Sequence, residues 1–93
     1  MFIMTLEQIS KKALDAGATR VAYSTRQGKK YMVEYNGKLI HFGSDVGKTF
    51  LDHGDETIRR NWRARHSKIK NKAGQYVYTI KESPEWWSWH MLW

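Results

Sequence analysis

The sequence predicts an α+β fold: a small antiparallel sheet, a hairpin or meander, packed by one or two helices and closed by a tryptophan-rich C-terminus. Three features predict it. Asn36-Gly37 lies between two runs of alternating apolar and polar residues, the strongest short-range signature of a β-hairpin. Residues 55–72 carry apolar groups at helical spacing behind an acidic start. Four of the five tryptophans crowd into the last eight residues, the large side chains a short chain needs to close its hydrophobic centre. With 41% hydrophobic and 14% aromatic residues against 27% charged, the 93 residues have enough packing groups for one domain, 1–93, with a modest core.

In chain order, Thr5 with Gln8 three residues later forms a capping-box pattern, and Leu6, Ile9, Ala13 and Leu14 continue it as one apolar stripe up to Gly17. This predicts a first helix over Thr5 to Ala16. Arg20 to Thr25 is a strand, Gln27-Gly28 a turn, and Lys30 to Tyr35 a second strand with Tyr31, Val33 and Tyr35 on one face. Both residues of Asn36-Gly37 tolerate the positive φ of a type I′ turn, so Lys38 to Phe42 returns as strand three. Gly43, Gly47 and Gly54 punctuate a loop. The basic helix from Asp55 to Lys72 follows, with Ile58, Trp62 and Ile69 as the inward stripe that lays it on the sheet. Ala73-Gly74 ends it, Tyr76 to Ile80 reads as a strand, and Ser83-Pro84 starts a last helical turn carrying Trp86, Trp87, Trp89 and Trp93.

The net charge of +7 favours an anionic partner: nucleic acid, an anionic surface or an acidic protein. There is no cysteine, which excludes disulfides and thiolate metal sites. No apolar run approaches the roughly 20 residues of a membrane span, and Met1-Phe2-Ile3-Met4 is too short and uncharged for a secretory signal. The expectation is a protein that is not secreted and has no membrane partner.

The charge is concentrated in the predicted basic helix. Arg59, Arg63, His66 and Lys70 follow helical spacing, and Arg60, Ala64 and Lys68 form a row beside them. The gradient from acids at the start to bases at the end complements the helix dipole and needs no function. The density of like charge does, because such neighbours repel and an anion would relieve them. Arg59, Arg60, Arg63, Arg65, Lys68, Lys70 and Lys72 are therefore the candidate nucleic-acid contacts, mostly to phosphates. The plainer reading is a solvated helix face.

Two reactive readings are weaker. Gly43-Ser44-Asp45-Val46-Gly47-Lys48-Thr49 resembles a phosphate-cradling loop, but three residues separate its glycines where the motif has four, and Gly54 interrupts the helix that should follow. His53, Asp52, Asp55 and Arg59 can be imagined as the base, metal ligands and clamp of a metal-dependent nuclease. Helix capping explains those acids without further assumption, and no histidine spacing matches a metal motif. No metal, cofactor or catalytic residue is assigned. Trp86, Trp89 and Trp93 are read first as caps on the core; alternatively Trp86, Trp87, Trp89 and Trp93 fill a groove on a protein partner, and Trp87 alone could stack on a base.

The order Lys30-Tyr31-Met32-Val33, Ile40-His41-Phe42-Gly43, Asp52 and Asp55, Arg59-Arg60-Asn61-Trp62, Arg65-His66 and a closing Trp-Ser-Trp-His-Met-Leu-Trp resembles a group of small basic proteins. They are encoded by large DNA viruses of algae and other protists and by bacteriophages. The likeness covers residues 30 to 93, with Trp62 where tyrosine is usual. It implies a nonenzymatic viral protein, located in the host cytoplasm or nucleoid or in the virion, and carries no catalytic residue. Joined to the charge pattern, it gives a nonenzymatic nucleic-acid-binding protein as the expected function. The alternative is a virion structural or assembly protein whose basic helix meets an acidic or capsid neighbour and whose tryptophans dock in a groove.

Overall fold

The computed structural model describes residues 6–44, 49–50 and 54–93. Helix α1 spans Leu6–Asp15 and is followed by strands β1 (Arg20–Tyr23), β2 (Lys29–Tyr35) and β3 (Lys38–Ser44). The strands form one antiparallel sheet in the order β1-β2-β3. Helix α2 (Glu56–His66), a single 3-10 turn (Val77–Thr79) and helix α3 (Pro84–Met91) complete the elements among the described residues. The fold is the expected α+β sheet with a tryptophan-rich C-terminal helix.

The hairpin forms as its turn residues dictate. Asn36 and Gly37 have φ of 51° and 72°, the two positive angles of a type I′ turn, which matches the twist of the strands it joins. Register follows from it: Tyr35 faces Lys38, Val33 faces Ile40 and Tyr31 faces Phe42. Because strand side chains alternate, Tyr31, Val33, Ile40 and Phe42 share the face on which the core is built.

Helices α1 and α3 cover that face. Ile9 and Ala13 of α1 and Trp87, Met91 and Leu92 at the C-terminus are buried against it. Leu14, expected in the α1 stripe, is about half exposed at 49%. A Schellman motif ends α1: the Ala18 amide donates to the Ala13 carbonyl and the Gly17 amide to that of Leu14, each at 3.0 Å, with Gly17 at a φ of 109°. Thr5, the expected cap, lies outside the described residues. At the other end Ser83 caps α3, its hydroxyl accepting from the Trp86 amide at 3.2 Å, with Pro84 in the first turn. Lys81 ties the two helices together by donating to the Ala16 carbonyl. Its ammonium also lies 4.9 Å from the Tyr35 ring centre and 5.1 Å from that of Trp86.

Gly43 is where the tail meets the sheet. Its φ is 79°, and a Cβ there would lie 2.9 Å from Leu92 Cδ1. Gly43→Ala therefore strains the backbone and pushes on a buried leucine together, and should cost about 1–3 kcal/mol, measured by urea unfolding against Gly37→Ala, which meets nothing within 4 Å.

Three expectations are corrected. The basic helix ends at His66, not Lys72. Ser67 and Asn71 divert the backbone: the Ser67 hydroxyl donates to the Ala64 carbonyl, and the Asn71 side-chain oxygen accepts from the amides of Ala73 and Gln75. Lys68 then lies in a turn, Lys70 in a lone bridge to Tyr76 and Lys72 in the Asn71–Gly74 turn. Tyr76 to Ile80 is not a strand, because the Ser83 hydroxyl donates to the carbonyls of Val77 (2.6 Å) and Ile80 (2.7 Å) and closes the segment on itself. Finally, α2 does not lie on the sheet. It buries no residue, and Ile58 and Ile69 of the expected inward stripe are 47% and 44% exposed.

Candidate functional site

Helix α2 begins at Asp55, whose carboxylate accepts from the amides of Thr57 (2.9 Å) and Ile58 (3.2 Å). This is the capping role the acids were expected to fill. Asp52 and His53, the other members of the imagined nuclease, lie outside the described residues, as do Asp45 to Lys48 of the glycine-rich loop. Among the described residues no three histidine, aspartate or glutamate side chains gather as a metal would need. No helix among them is long and apolar enough to cross a membrane.

The inner face of α2 is the row Arg59, Trp62, Arg63 and His66, at i, i+3, i+4 and i+7. Every member meets the tryptophan tail. The Trp62 ring stacks between the His66 ring, with centres 3.8 Å apart, and that of Trp93, 4.8 Å away. The Arg59 Nε donates to the Trp93 carbonyl. Arg63 donates to the Trp89 carbonyl at 3.4 Å, its guanidinium 4.9 Å from the ring centre of the same residue. His66 pairs through Nδ1 with the Glu85 carboxylate. Carbonyls at the carboxyl end of a helix are partly negative, so arginines are well placed on them, and planar guanidinium stacks on indole where an aliphatic stripe would not. Trp89 stacks in turn on Tyr78, centres 4.5 Å apart.

This arrangement divides the sequence-predicted residues. Arg59 and Arg63 are partly buried anchors of the tail, whereas Arg60, Arg65, Lys68, Lys70 and Lys72 are exposed. Trp87 is corrected: it is fully buried, its Nε1 donating to the Lys81 carbonyl at 2.8 Å, so it offers no surface to a base or partner. Trp86, Trp89 and Trp93 keep partial exposure but spend much of their ring surface on neighbours within the chain. Glu85 was missed by sequence reasoning. No local signal marks it, because it stands 19 residues from the histidine it holds.

Electrostatics follow the geometry. Burial, then repulsion from Arg59, lowers the pKa of Arg63, while Glu56 acts the other way. Burial, then repulsion from Arg63, Lys12 and Lys81, lowers that of His90. The tail is thus ringed by cations that disfavour added positive charge. Two concavities open here. A cleft of about 400 Å3 runs between the open end of the hairpin, at Lys29 and Ser44, and the Trp62, His66, Glu85 and Trp93 side chains. A groove of about 210 Å3 is lined by Glu56, Arg59, Arg60 and Arg63.

Since Trp62 holds both stacks, Trp62→Ala should loosen α2 while leaving the sheet intact. The expected loss is about 1–3 kcal/mol from stacking and apolar area. Hydrogen exchange should accelerate across residues 56–66 and stay slow in β2 and β3.

No curated protein and no solved structure shows a significant match to the chain. A protein-family model described as a family of unknown function (DUF5754) matches residues 19–66. That stretch is 48 of the 93 residues and runs from just before β1 to the last residue of α2, so the sheet and the basic helix are its subject. The chain belongs to this family, DUF5754.

Proposed function

We propose that this chain is a nonenzymatic nucleic-acid-binding protein that holds phosphates through Arg60, Arg65, Lys68, Lys70 and Lys72. One observation supports this most. From Thr57 to Lys81 the sequence has eight lysines and arginines and no acid, and those five side chains are exposed. Among the described residues the ion pairs on this segment are Arg59 with Glu56 and His66 with Glu85. Among the described residues none of the five exposed cations forms an ion pair with a carboxylate, and Lys70 alone among them has a ring partner, Tyr76 at 4.9 Å. Phosphodiester supplies a regular array of the missing charge.

The inner row supports the same reading indirectly. Because Arg59, Trp62, Arg63 and His66 fasten α2 to the tail, the outer cations stand on a fixed helix and the turns after it, so less order is lost on binding. Contacts of this kind give affinity with little sequence preference. The likeness to small viral and phage proteins agrees with a role on a nucleic-acid genome. In a gel-shift series, DNA and RNA of unrelated sequence should be retarded alike at low salt and released as salt rises. Retardation of one sequence only, or of none at low salt, would refute the proposal.

A further inference from the structure

The groove on α2 is built from one stripe of the helix: Glu56, Arg59, Arg60 and Arg63 stand at i, i+3, i+4 and i+7. Three guanidiniums and one carboxylate leave a net charge of +2 around a space of about 210 Å3. Glu56 is the weak member. Its side chain is 65% exposed and reaches Arg59 at 3.4 Å, a surface pair of little strength.

The two inner arginines are held from behind. Arg59 donates its Nε to the Trp93 carbonyl, and Arg63 donates one Nη to that of Trp89. A guanidinium has five N–H donors, so each carbonyl fixes the group and leaves donors over. The Arg63 Nε is buried with no hydrogen-bond partner among the described residues, an unmet donor in a charge the fold has partly desolvated. Fixed forks with spare donors, converging from one helix face, suit a tetrahedral oxyanion better than mobile lysines do. Burial first, and then repulsion from Arg59, lowers the Arg63 pKa, and an anion entering the groove offsets the repulsion.

We propose that Arg59, Arg60 and Arg63 form a socket for a single phosphate group, which shares Arg60 with the row of exposed cations and adds to it the two tail-anchored arginines. It rests on the nucleic-acid reading only for the source of that phosphate, which is either an internal phosphodiester or a terminal 5′-phosphate. The terminal group carries about −1.5 to −2 charges and matches the groove more closely than a diester.

Arginine Nε–Hε signals of the full chain, followed by NMR during titration with inorganic phosphate, test this. The signals of Arg59 and Arg63 should shift along one saturable curve while that of Arg65 stays still, with chloride at equal ionic strength as reference. Arg63→Lys keeps the charge, removes the fork and should weaken binding about tenfold. Glu56→Gln should tighten it. Arg60→Lys, at an exposed position, repeats the first test should Arg63→Lys loosen the tail. A shift that never saturates, or that Arg65 shares, or unchanged affinity in the arginine variants, overturns the socket.

Oligonucleotides with a 5′-phosphate or a 5′-hydroxyl then identify the source. Displacement of inorganic phosphate by the phosphorylated strand alone assigns a terminal phosphate, and equal displacement by both assigns a diester. If inorganic phosphate binds but neither strand displaces it, the socket stands and the nucleic-acid reading falls. If both strands bind without moving the Arg59 and Arg63 signals, the socket falls and that reading stands.

Discussion

Trp87→Ala should unfold the domain or bring it close to unfolding. Trp87 is fully buried against Phe42, with ring centres 6.3 Å apart, and against Tyr35 at 5.8 Å. Its Nε1 also holds the Lys81 carbonyl, which fixes the segment leading into α3. Removing a buried tryptophan costs about 3–5 kcal/mol, against a total stability of about 5–14 kcal/mol for a chain of this length. At roughly 4–8 °C per kcal/mol, the melting temperature should fall by about 12–40 °C, with loss of the near-ultraviolet circular dichroism of the packed tryptophans. A fall of less than about 5 °C would mean that Trp87 faces solvent or a partner instead of the core. Trp89→Ala, at a partly exposed position, should cost less.

The second large effect is on binding. Replacing Arg60, Arg65, Lys68 and Lys72 together by glutamine should leave the fold intact, because all four are exposed and take no part in the Arg59–Glu56 and His66–Glu85 pairs, and such surface changes are worth within about 0.5 kcal/mol each. Each phosphate contact contributes a slope of about 0.9 to the dependence of log affinity on log salt. Losing four should flatten that slope by about 3 to 4 units and weaken binding by about 10²- to 10⁴-fold at 50 mM salt, uniformly across sequences. A variant that binds like the parent would transfer the interaction to another face, such as the exposed Lys29 and Lys30 at the open end of the hairpin.

The hairpin was legible because its information is local. Asn36-Gly37 determines the turn, the turn determines the register, and alternation then assigns Tyr31, Val33, Ile40 and Phe42 to the core without reference to the rest of the chain. The helix caps Asp55 and Ser83 are local in the same way.

The basic helix was misread where aliphatic and cationic periodicities competed. Trp62 packs against the tail and not the sheet, and Arg59, Arg63 and His66 lie on the same stripe, so once Trp62 packs they must pack as well. Treating arginine as outward by default hid this, although guanidinium stacks on indole and bonds helix-end carbonyls readily. Ile58 falls off that stripe, and Ile69 falls beyond the helix. The early end of α2 rests on hydrogen bonds from Ser67 and Asn71, which periodicity does not register. Glu85 was not visible as a partner, since it meets His66 only after the tail folds back across 19 residues of sequence.

The most direct test of the binding account is the salt dependence of the unaltered protein on a duplex of arbitrary sequence, followed by fluorescence anisotropy between 50 and 200 mM salt. Five phosphate contacts predict a log–log slope of about −4 to −5 and a loss of roughly 500-fold in affinity across that range. A slope near zero, or no binding at 50 mM, would contradict it.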